Sequence, residues 1–336
     1  MIHPSRHYQH PLDRESLLNL RAIKWFEGIS KYVVADDLER DFLLLNLVDN
    51  VLMTRGDFPK AIGHLERACE TLGLSKVPQL FLDTNPAPHT LCVGEHNPMI
   101  VISSGMLELL ADDELAAALA HEIGHIACQH AYYKLLAENF AGISQLSGVV
   151  PGLGAATFAL KLPLNDWYRK ADLTADRAAL LVLRDVEPVL KMIGKIAGGS
   201  GRLAQQISLA SLLDQARETR ATIDSMQAGN LKQRVTYFFS NLVMQGMLRT
   251  QPWPAIRVLE IQQWASSTAY QMLLEGQEPP ADPPPDRSAT KSAGFFQAWT
   301  SSVTDAGRSL FSWSGSESRP LDSEAGGEPD TPWSLH

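Results

Sequence analysis

The string His121-Glu122-Ile123-Gly124-His125 constrains this chain more than any other feature of its sequence. It lies in a segment that begins with three acidic residues at 112–114 and continues with Leu and Ala, which are strong helix formers. We therefore expect a long helix over residues 112–138. In such a helix His121 and His125 lie one turn apart on the same face, so their imidazoles can bind a single zinc ion.

Glu122 follows the first histidine directly, so its carboxylate points beside the face that carries the two imidazoles. From there it can accept a proton from a water molecule that the metal activates, and can later pass a proton to the leaving amine. The alternative is an accidental match in an ordinary helix, which we expect in roughly one chain of this length in fifty. The surrounding sequence has to decide between these two interpretations.

A zinc site of this kind requires a third protein ligand. The arrangement H-E-x-x-H-x-x-G-x-x-H needs a glycine and a histidine at two later positions, but these positions hold Cys128 and Ala131. His130 lies one residue out of that spacing, and we expect it to be a structural or surface histidine. The third ligand must come from another segment.

A second acidic segment supplies candidates for that ligand. Asp172 and Asp176 are four residues apart in a stretch for which the sequence predicts a helix. One of them can bind zinc while the other orients a zinc-bound histidine through its second ring nitrogen. Alternatively, both are solvated carboxylates beside Arg169 and Arg177, an interpretation that the histidine motif makes less favourable.

The pattern along the chain predicts an α+β fold that is mostly helical. Residues 1–76 are expected to form a helical N-terminal segment, and residues 77–276 the domain with the metal site. Short β-rich runs predict a small sheet with an edge strand: Gln79–Leu82, Thr90–Val93 and Met99–Ile102. Further helices are expected at Asp166–Arg184, Pro188–Ile196, Leu203–Arg220, Leu231–Leu248 and Ala255–Glu275.

Several of these features occur together in one family of peptidases. The chain resembles the HtpX-like and CAAX-prenyl-protease-like metallopeptidases, which include Oma-type and BepA-type enzymes and are zinc enzymes of the gluzincin type. The resemblance covers residues 78–276, and its motifs together are highly specific. They are Pro98–Leu107, Asp113–Ala116, His121–His125 and Arg169–Asp176, the last read as R-x-x-E-x-x-A-D.

The resemblance implies a zincin-like fold, one Zn²⁺ per chain and hydrolysis of peptide bonds with Glu122 as general base. By the same resemblance the metal is held by His121, His125 and Asp172, while Asp176 orients one of these ligands.

The strand before the histidine motif is thought to line the cleft in such enzymes and to pair with extended substrate, which gives affinity with little sequence preference. Its residues here are Thr90, Leu91, Cys92, Val93 and Gly94. The expected substrate is therefore an extended or misfolded polypeptide, as in protein quality control.

Two positions depart from the family pattern. The metal-binding glutamate is Asp172 here, which is one methylene shorter, so its helix must approach the metal by about 1 Å more. The family's late T-H-P-x-x-x-x-R segment corresponds to residues 250–257, with Gln251 in place of the histidine. Gln251 could still donate a hydrogen bond to the oxyanion of the transition state, but without a charge. Arg257 keeps its position, either as a contact to substrate or as an ordinary salt-bridging arginine.

Composition excludes other classes of protein. The chain has a net charge of −9 and no cluster of Lys and Arg that could neutralise phosphates, so we expect no nucleic acid as a partner. Cys69, Cys92 and Cys128 show no C-x-x-C spacing and are expected to be reduced thiols. The first twelve residues lack the basic start and apolar run of a secretory signal, which favours a cytoplasmic protein.

Two segments leave peripheral membrane contact open. Residues 139–160 carry no charge, but glycines and a proline interrupt them, which favours a soluble hairpin or lid over membrane contact. Residues 277–336 are rich in Pro and Ser and predict a disordered tail. Within that tail, residues 295–313 could form an amphipathic helix that docks on a membrane, on the enzyme itself or on a partner.

The leading prediction is a zinc-dependent endopeptidase. The rival is a catalytically weak or inactive relative that keeps the fold as a binding or chaperone-like module, because such a protein would tolerate Asp172 and Gln251. Hydrolysis of an unfolded protein separates these two predictions. Zinc content separates both from a third, a helical scaffold with a chance motif.

Overall fold

The structure, a computed structural model, describes residues 2–21, 36–94, 96–138, 153–199, 201–204, 206–228 and 254–280. This part of the chain is mostly helical and carries a small mixed sheet, which confirms the predicted α+β class. Its helices are α1 (Ser5–Tyr8), α2 (Pro11–Arg21), α3 (Asp36–Asp49), α4 (Pro59–Leu72), α5 (Ser104–Leu109), α6 (Asp112–Ala127), α7 (Ala131–Glu138), α8 (Leu153–Leu183), α9 (Val186–Gly198), α10 (Gly201–Ala204), α11 (Leu209–Ala228), α12 (Pro254–Ala265) and α13 (Thr268–Leu274).

The sheet has four strands, β1 (Val51–Leu52), β2 (Gln79–Asp83), β3 (Thr90–Val93) and β4 (Met99–Ser103). They lie in the order β1-β2-β4-β3; β2 and β4 are parallel, and the other two pairs are antiparallel. The three predicted β-rich runs are confirmed as β2, β3 and β4. β1 was not predicted, because two residues are too few to show a periodic pattern. The order of the strands makes β3 an edge strand of this sheet.

The sheet separates two apolar layers, because side chains alternate between its faces along each strand. The larger layer joins the sheet to α4 and α6 and includes Leu80, Ile100 and Ile102. The smaller layer contains Phe81, Val93, Met99 and Val101, with Phe42, Leu43 and Leu91 packed against them. All five residues of β4 are buried, as expected for a strand that is covered on both faces.

The helix with the histidine motif ends earlier than predicted. α6 ends at residue 127, and the chain turns through three residues before α7 begins. Gln129 in this turn has a φ of 58°, a left-handed conformation that ends the regular helix. The amide of His130 donates to the carbonyl of His125 at 2.9 Å and closes the turn. The prediction of one helix to residue 138 is wrong, because no Gly or Pro marks the turn in the sequence.

Other predicted helices differ mainly at their ends. α8 begins at residue 153, whereas the sequence predicted a start near residue 166. The stretches predicted as single helices at 203–220 and 255–275 are each divided in two. In the second, Ser267 begins α13 by accepting a hydrogen bond from the amide of Tyr270 at 3.2 Å. The predicted helix at 231–248, residues 139–152 and the tail from residue 281 lie outside the described residues.

None of the described helices is both long enough and apolar enough to cross a bilayer.

The N-terminal helices pack on α8 through polar contacts. Asp13 of α2 is fully buried and accepts hydrogen bonds from Trp167 Nε1 at 3.0 Å and from Thr174 Oγ1 at 2.7 Å. Lys170 Nζ also donates to Ser16 Oγ at 2.9 Å. A buried carboxylate needs such donors, so these contacts fix the position of α2 along α8.

α6 and α8 approach each other closely through small residues. A Cβ atom added at Gly124 would lie 2.5 Å from Ala178 Cβ and 3.2 Å from Ala175 Cα. Both neighbours belong to the helix itself rather than to the end of a flexible side chain, so they cannot easily move away. The glycine therefore sets the distance between the two helices that carry the predicted metal ligands.

We expect Gly124→Ala to destabilise the protein by about 1–3 kcal/mol, because the added methyl group overpacks the contact between α6 and α8. Gly63→Ala in α4 is the matched control, since nothing lies within 4 Å of its added Cβ. There the better helix propensity of Ala should stabilise the protein by up to about 1 kcal/mol. Urea unfolding measures both effects. A Gly124→Ala protein as stable as Gly63→Ala would contradict the close contact.

Candidate active site

Two histidines from α6 form the centre of the site. His121 and His125 are buried, and their Nε2 atoms face each other at 3.2 Å. Burial, followed by the positive charge of Lys134, lowers the pKa of His125 well below its usual value. His125 is therefore a neutral imidazole, the form that can bind a metal ion.

Asp172 of α8 lies opposite these two nitrogens. Its Oδ1 atom is 3.2 Å from His125 Nε2 and 3.9 Å from His121 Nε2. Oδ1 is buried but has no hydrogen-bond partner among the described residues. The one ligand atom that each of the three residues offers lies within 4.8 Å of the other two.

The spacing of these atoms fits a metal ion. Ligands about 2.0–2.1 Å from a tetrahedral zinc ion lie roughly 3.3 Å from one another, close to the distances observed here. A buried carboxylate oxygen without a donor is costly, and a cation between it and the imidazoles would remove that cost. Two imidazoles and one carboxylate are also a donor set that zinc accepts.

Asp176 and Arg257 support the first histidine. Asp176 Oδ1 lies 2.9 Å from His121 Nδ1, the ring nitrogen that faces away from the other two ligand candidates. Arg257 of α12 donates to both oxygens of Asp176, at 2.6 and 2.7 Å. Burial alone would raise the pKa of Asp176, but the charge of Arg257 outweighs burial and lowers that pKa. Asp176 is thus an ionised acceptor that fixes the orientation of the His121 ring.

Glu122 points into the same cleft and is held at both oxygens. Thr90 Oγ1 of β3 donates to Oε1 at 2.7 Å, and Lys134 Nζ of α7 lies 3.3 Å from Oε2. Burial favours the neutral acid, but Lys134, both histidines and Thr90 outweigh it and lower the pKa of Glu122 to about 2. Glu122 is therefore ionised at neutral pH.

Lys134 was not predicted from the sequence. It is 2% exposed, and the carboxylate of Glu122 raises its pKa well above the usual value despite the opposing effect of burial. The residue lies twelve positions after Glu122, and only the turn between α6 and α7 brings it back to the site. In the sequence, Lys134 is marked only by being a single lysine in an otherwise apolar stretch.

His130 is also part of the site. The sequence predicts a structural or surface histidine at this position. The residue is fully buried, and its Nδ1 atom lies 3.1 Å from Nδ1 of His125. Its Nε2 atom lies 3.1 Å from Asp13 Oδ2. Burial raises the pKa of Asp13, but His130 and hydrogen bonds from Thr174 and Gln9 lower it overall. No spacing in the sequence indicated Asp13, which lies more than 100 residues before the motif.

The predicted substrate strand reaches the cleft at its first residue, Thr90, which lines it together with Pro88 and His89. In the pairing of β3 with β4, the amide of Ser103 donates to the carbonyl of His89 at 3.1 Å, so odd-numbered residues of β3 face β4. The backbone groups of Thr90 and Cys92 consequently point to the other edge. Gly94, the last of the predicted strand residues, follows β3 with a φ of 96° and ends it.

The opposite wall of the cleft is more apolar. It includes Met192, Ile193 and Ile196 of α9, and the cleft reaches His121, Glu122, Asp172 and Arg257. Gln251, the other residue expected near the transition state, lies outside the described residues. Arg257 lines the cleft, yet its strongest contacts are those to Asp176.

A buried pair of histidines with a carboxylate from a second helix and a glutamate beside them defines the class of metallohydrolases. The comparison with known families identifies the particular one: the sequence matches peptidase family M48 over residues 63–265, more than half of the chain. This protein belongs to peptidase family M48. The resemblance to HtpX-like metallopeptidases is thereby confirmed.

Several known proteins are similar to this chain. The plastoglobule-localized metallopeptidase 48 of Arabidopsis thaliana is 33% identical over 272 residues, 80% of this chain and 75% of that protein. The protease HtpX homolog 1 of Streptomyces coelicolor is 26% identical over 177 residues, 45% of this chain. The protease HtpX homolog of Halobacterium salinarum is 25% identical over 175 residues, 46% of this chain. The matches span only 58% and 59% of these two HtpX homologues. No solved structure matches significantly.

Family membership establishes the general activity. The protein is a protease, a hydrolase that acts on polypeptides, and its family consists of metal-dependent enzymes. The cluster of His121, His125 and Asp172 fits such a metal requirement.

The ion pair between Glu122 and Lys134 predicts a stability effect in the metal-free protein. Lys134→Met leaves the Glu122 charge buried without a partner, so we expect a loss of about 3 kcal/mol, and removal of both charges in Lys134→Met with Glu122→Gln should restore part of it. Lys191→Met is the control, because its pair with Glu187 is exposed to solvent and should contribute little to stability. Urea unfolding in a chelator measures each variant.

The sign of the pH dependence follows from the lowered pKa of Glu122. The pair stabilises the fold above the unfolded pKa of about 4.3 and loses this contribution as the pH falls toward about 2. The double variant should therefore show a weaker fall in stability over that acidic range than the wild type. Equal pH dependence in both proteins would contradict the pair.

Proposed function

We propose that this protein is a zinc-dependent endopeptidase that hydrolyses peptide bonds of extended or misfolded polypeptides. The observation that supports it most directly is the convergence of His121, His125 and Asp172 on one point, with Asp172 Oδ1 buried and otherwise without a donor. In a chain of peptidase family M48, this cluster is the candidate for the metal site.

His121, His125 and Asp172 would hold one zinc ion per chain. A bound zinc ion supplies Lewis-acid chemistry, which polarises a carbonyl group and lowers the pKa of water. Asp176 orients His121 through the 2.9 Å contact at Nδ1, which leaves Nε2 directed at the other ligand candidates.

Glu122 acts as the general base in this proposal. Its ionised carboxylate accepts a proton from the attacking water and returns one to the leaving amine. Thr90 and Lys134 hold the carboxylate at the wall of the cleft. The ammonium group also stabilises the charged form of Glu122, so the base is available across the neutral pH range.

The shorter side chain of Asp172 is compatible with metal binding because α6 and α8 are close. Gly124 lies against Ala175 and Ala178, and no larger residue keeps the two helices apart at this contact. The missing methylene of Asp relative to Glu is offset by that approach, as the distance of 3.2 Å to His125 Nε2 indicates.

Substrate would bind by strand addition along β3, over residues Thr90, Leu91, Cys92, Val93 and Gly94. The outward backbone groups of Thr90, which lines the cleft, are the groups that an antiparallel peptide would pair with first, whereas Cys92 is fully buried. Backbone pairing requires an extended peptide and depends little on its sequence, which supports unfolded polypeptide as substrate. The apolar wall from α9 would favour apolar side chains beside the scissile bond.

Gln251 and Arg257 have different proposed roles. Gln251 would donate an uncharged hydrogen bond to the oxyanion, which gives weaker stabilisation than a charged donor. Arg257 fixes Asp176, and its Nη1 atom is 3.9 Å from Asp172 Oδ2, so it also offsets negative charge beside the ligand set.

The domain boundaries, the cytoplasmic location and the peripheral membrane contact stay predictions. The Arabidopsis relative is named as plastoglobule-localized and chloroplastic. Most of 139–160 and all of 295–313, the two segments expected to make such contact, lie outside the described residues.

We expect purified protein to contain about one zinc per chain and to cleave casein. Asp172→Ala and His125→Ala should lose both zinc and cleavage, because each removes one of three ligands. Glu122→Gln should keep zinc and lose nearly all cleavage, since only the proton acceptor is removed. Metal analysis and casein hydrolysis on the same samples measure these outcomes.

Any other result would identify which part of the proposal is wrong. Zinc retained in Asp172→Ala would assign the third ligand to another residue, and cleavage by Glu122→Gln would reject Glu122 as general base. Zinc without any cleavage in the wild type would favour a binding or chaperone-like module instead of an enzyme.

A further inference from the structure

A buried chain of side chains leads from the N-terminal segment to His125. His130 lies between Asp13 and His125, with 3.1 Å from its Nε2 to Asp13 Oδ2 and 3.1 Å from its Nδ1 to His125 Nδ1. All three residues are fully buried. The two atoms of the Asp13 contact lie within ion-pair distance but outside hydrogen-bond geometry, whereas the contact to His125 has hydrogen-bond geometry. The mechanism of peptide hydrolysis proposed above gives no role to Asp13 or His130.

The His130 ring is fixed in place by its neighbours. It meets the His125 ring edge-on with 5.3 Å between centroids and meets Trp167 in the same way at 5.5 Å. Trp167 Nε1 in turn donates to Asp13 Oδ1. His130 can therefore exchange a proton position between its two nitrogens, but it cannot readily turn away from His125.

Only one placement of protons on His125 and His130 fits the donors and acceptors along this series of side chains. A neutral imidazole has one N–H and one bare nitrogen, and the bare nitrogen is the one that binds metal. If His125 offers Nε2 to the metal, its proton is on Nδ1, and Nδ1 of His130 must accept it. The proton of His130 is then on Nε2, which faces the carboxylate of Asp13, an acceptor only.

We propose that Asp13 is a positioning residue for the metal ligand His125 and acts through His130. The carboxylate keeps the proton of His130 on Nε2, which keeps the proton of His125 on Nδ1 and leaves Nε2 bare toward the metal. This inference rests on the proposed metal site and adds a residue to it that touches neither metal nor substrate.

The two histidine ligands are thus supported differently. His121 contacts its carboxylate, Asp176, directly and within the same helix pair. His125 reaches its carboxylate through a second histidine, and this carboxylate comes from α2, before the stretch 63–265 that matches the family. The N-terminal helix is therefore part of the metal site and not only a cover on α8.

Asp13→Asn tests this relay, the series of contacts from Asp13 through His130 to His125, with almost no change in side-chain size. The amide can donate to His130 Nε2, which would place the proton of His130 on Nδ1 and that of His125 on Nε2, where it blocks the metal. We expect zinc affinity to fall by about 10–100-fold, the usual effect of losing such a supporting group. Competition with a chromophoric chelator gives the affinity. The visible absorption of bound Co²⁺ should shift as well, because it reports ligand geometry.

Thr174→Val is the matched control for a purely structural role of Asp13. It removes a hydrogen bond of 2.7 Å to Asp13 Oδ2 and the acceptor of the His10 amide, but it keeps the carboxylate that faces His130. Both variants should lose stability in urea, while only Asp13→Asn should lose zinc affinity and change the Co²⁺ spectrum. Equal zinc affinity in Asp13→Asn and wild type, or equal losses in both variants, would overturn the proposal.

His130→Phe provides a second test, because it breaks the relay and keeps a ring beside Trp167. It should weaken zinc binding about as much as Asp13→Asn, and adding Asp13→Asn to it should weaken binding no further. A further loss in the double variant would mean that Asp13 acts on the fold as a whole. If Asp13→Asn does not fold, His130→Phe against Thr174→Val decides, and unchanged zinc affinity in His130→Phe overturns the relay.

The same measurements separate this inference from the proposed function. A wild-type protein without zinc would reject the metal site itself. A wild-type protein with zinc and an unaffected Asp13→Asn would reject only the relay.

Discussion

The contact between α6 and α8 is the constraint on which the site depends. Gly124 faces Ala175 and Ala178 so closely that a methyl group has no room. Because α6 carries two histidines and α8 a carboxylate, this distance decides whether three ligand atoms meet. The same closeness buries every charged group between the two helices, and each buried charge then requires a partner.

The partners of the buried acids divide them into two kinds. Glu122 faces Lys134, Asp176 faces Arg257, and Asp13 faces His130 with three neutral donors around it. Asp172 is different, because its Oδ1 atom has no donor among the described residues and faces Nε2 of both His121 and His125. A cation at that position would satisfy this oxygen, as donors satisfy the other buried carboxylates of the described residues.

The sequence predicted the parts of the site that local spacing determines. The i and i+4 spacing predicted His121 and His125, the same spacing predicted Asp172 and Asp176, and short β-rich runs predicted three of the four strands. Lys134, His130 and Asp13 were missed because their positions depend on how distant segments pack. Arg257 was named with two alternatives, and only the packing of α12 on α8 revealed its pair with Asp176.

The turn after α6 explains why two of these residues could not be predicted. In a straight helix Lys134 would lie about 18 Å along the axis from Glu122 and about 120° around it, beyond the reach of a lysine side chain. His130 would likewise point about 140° away from His125. The left-handed conformation of Gln129 ends α6 and turns the chain back, so that both side chains return to the candidate metal ligands. The backbone conformation of one residue thus places two supporting side chains beside the site. The sequence has no Gly or Pro at this turn that would indicate it.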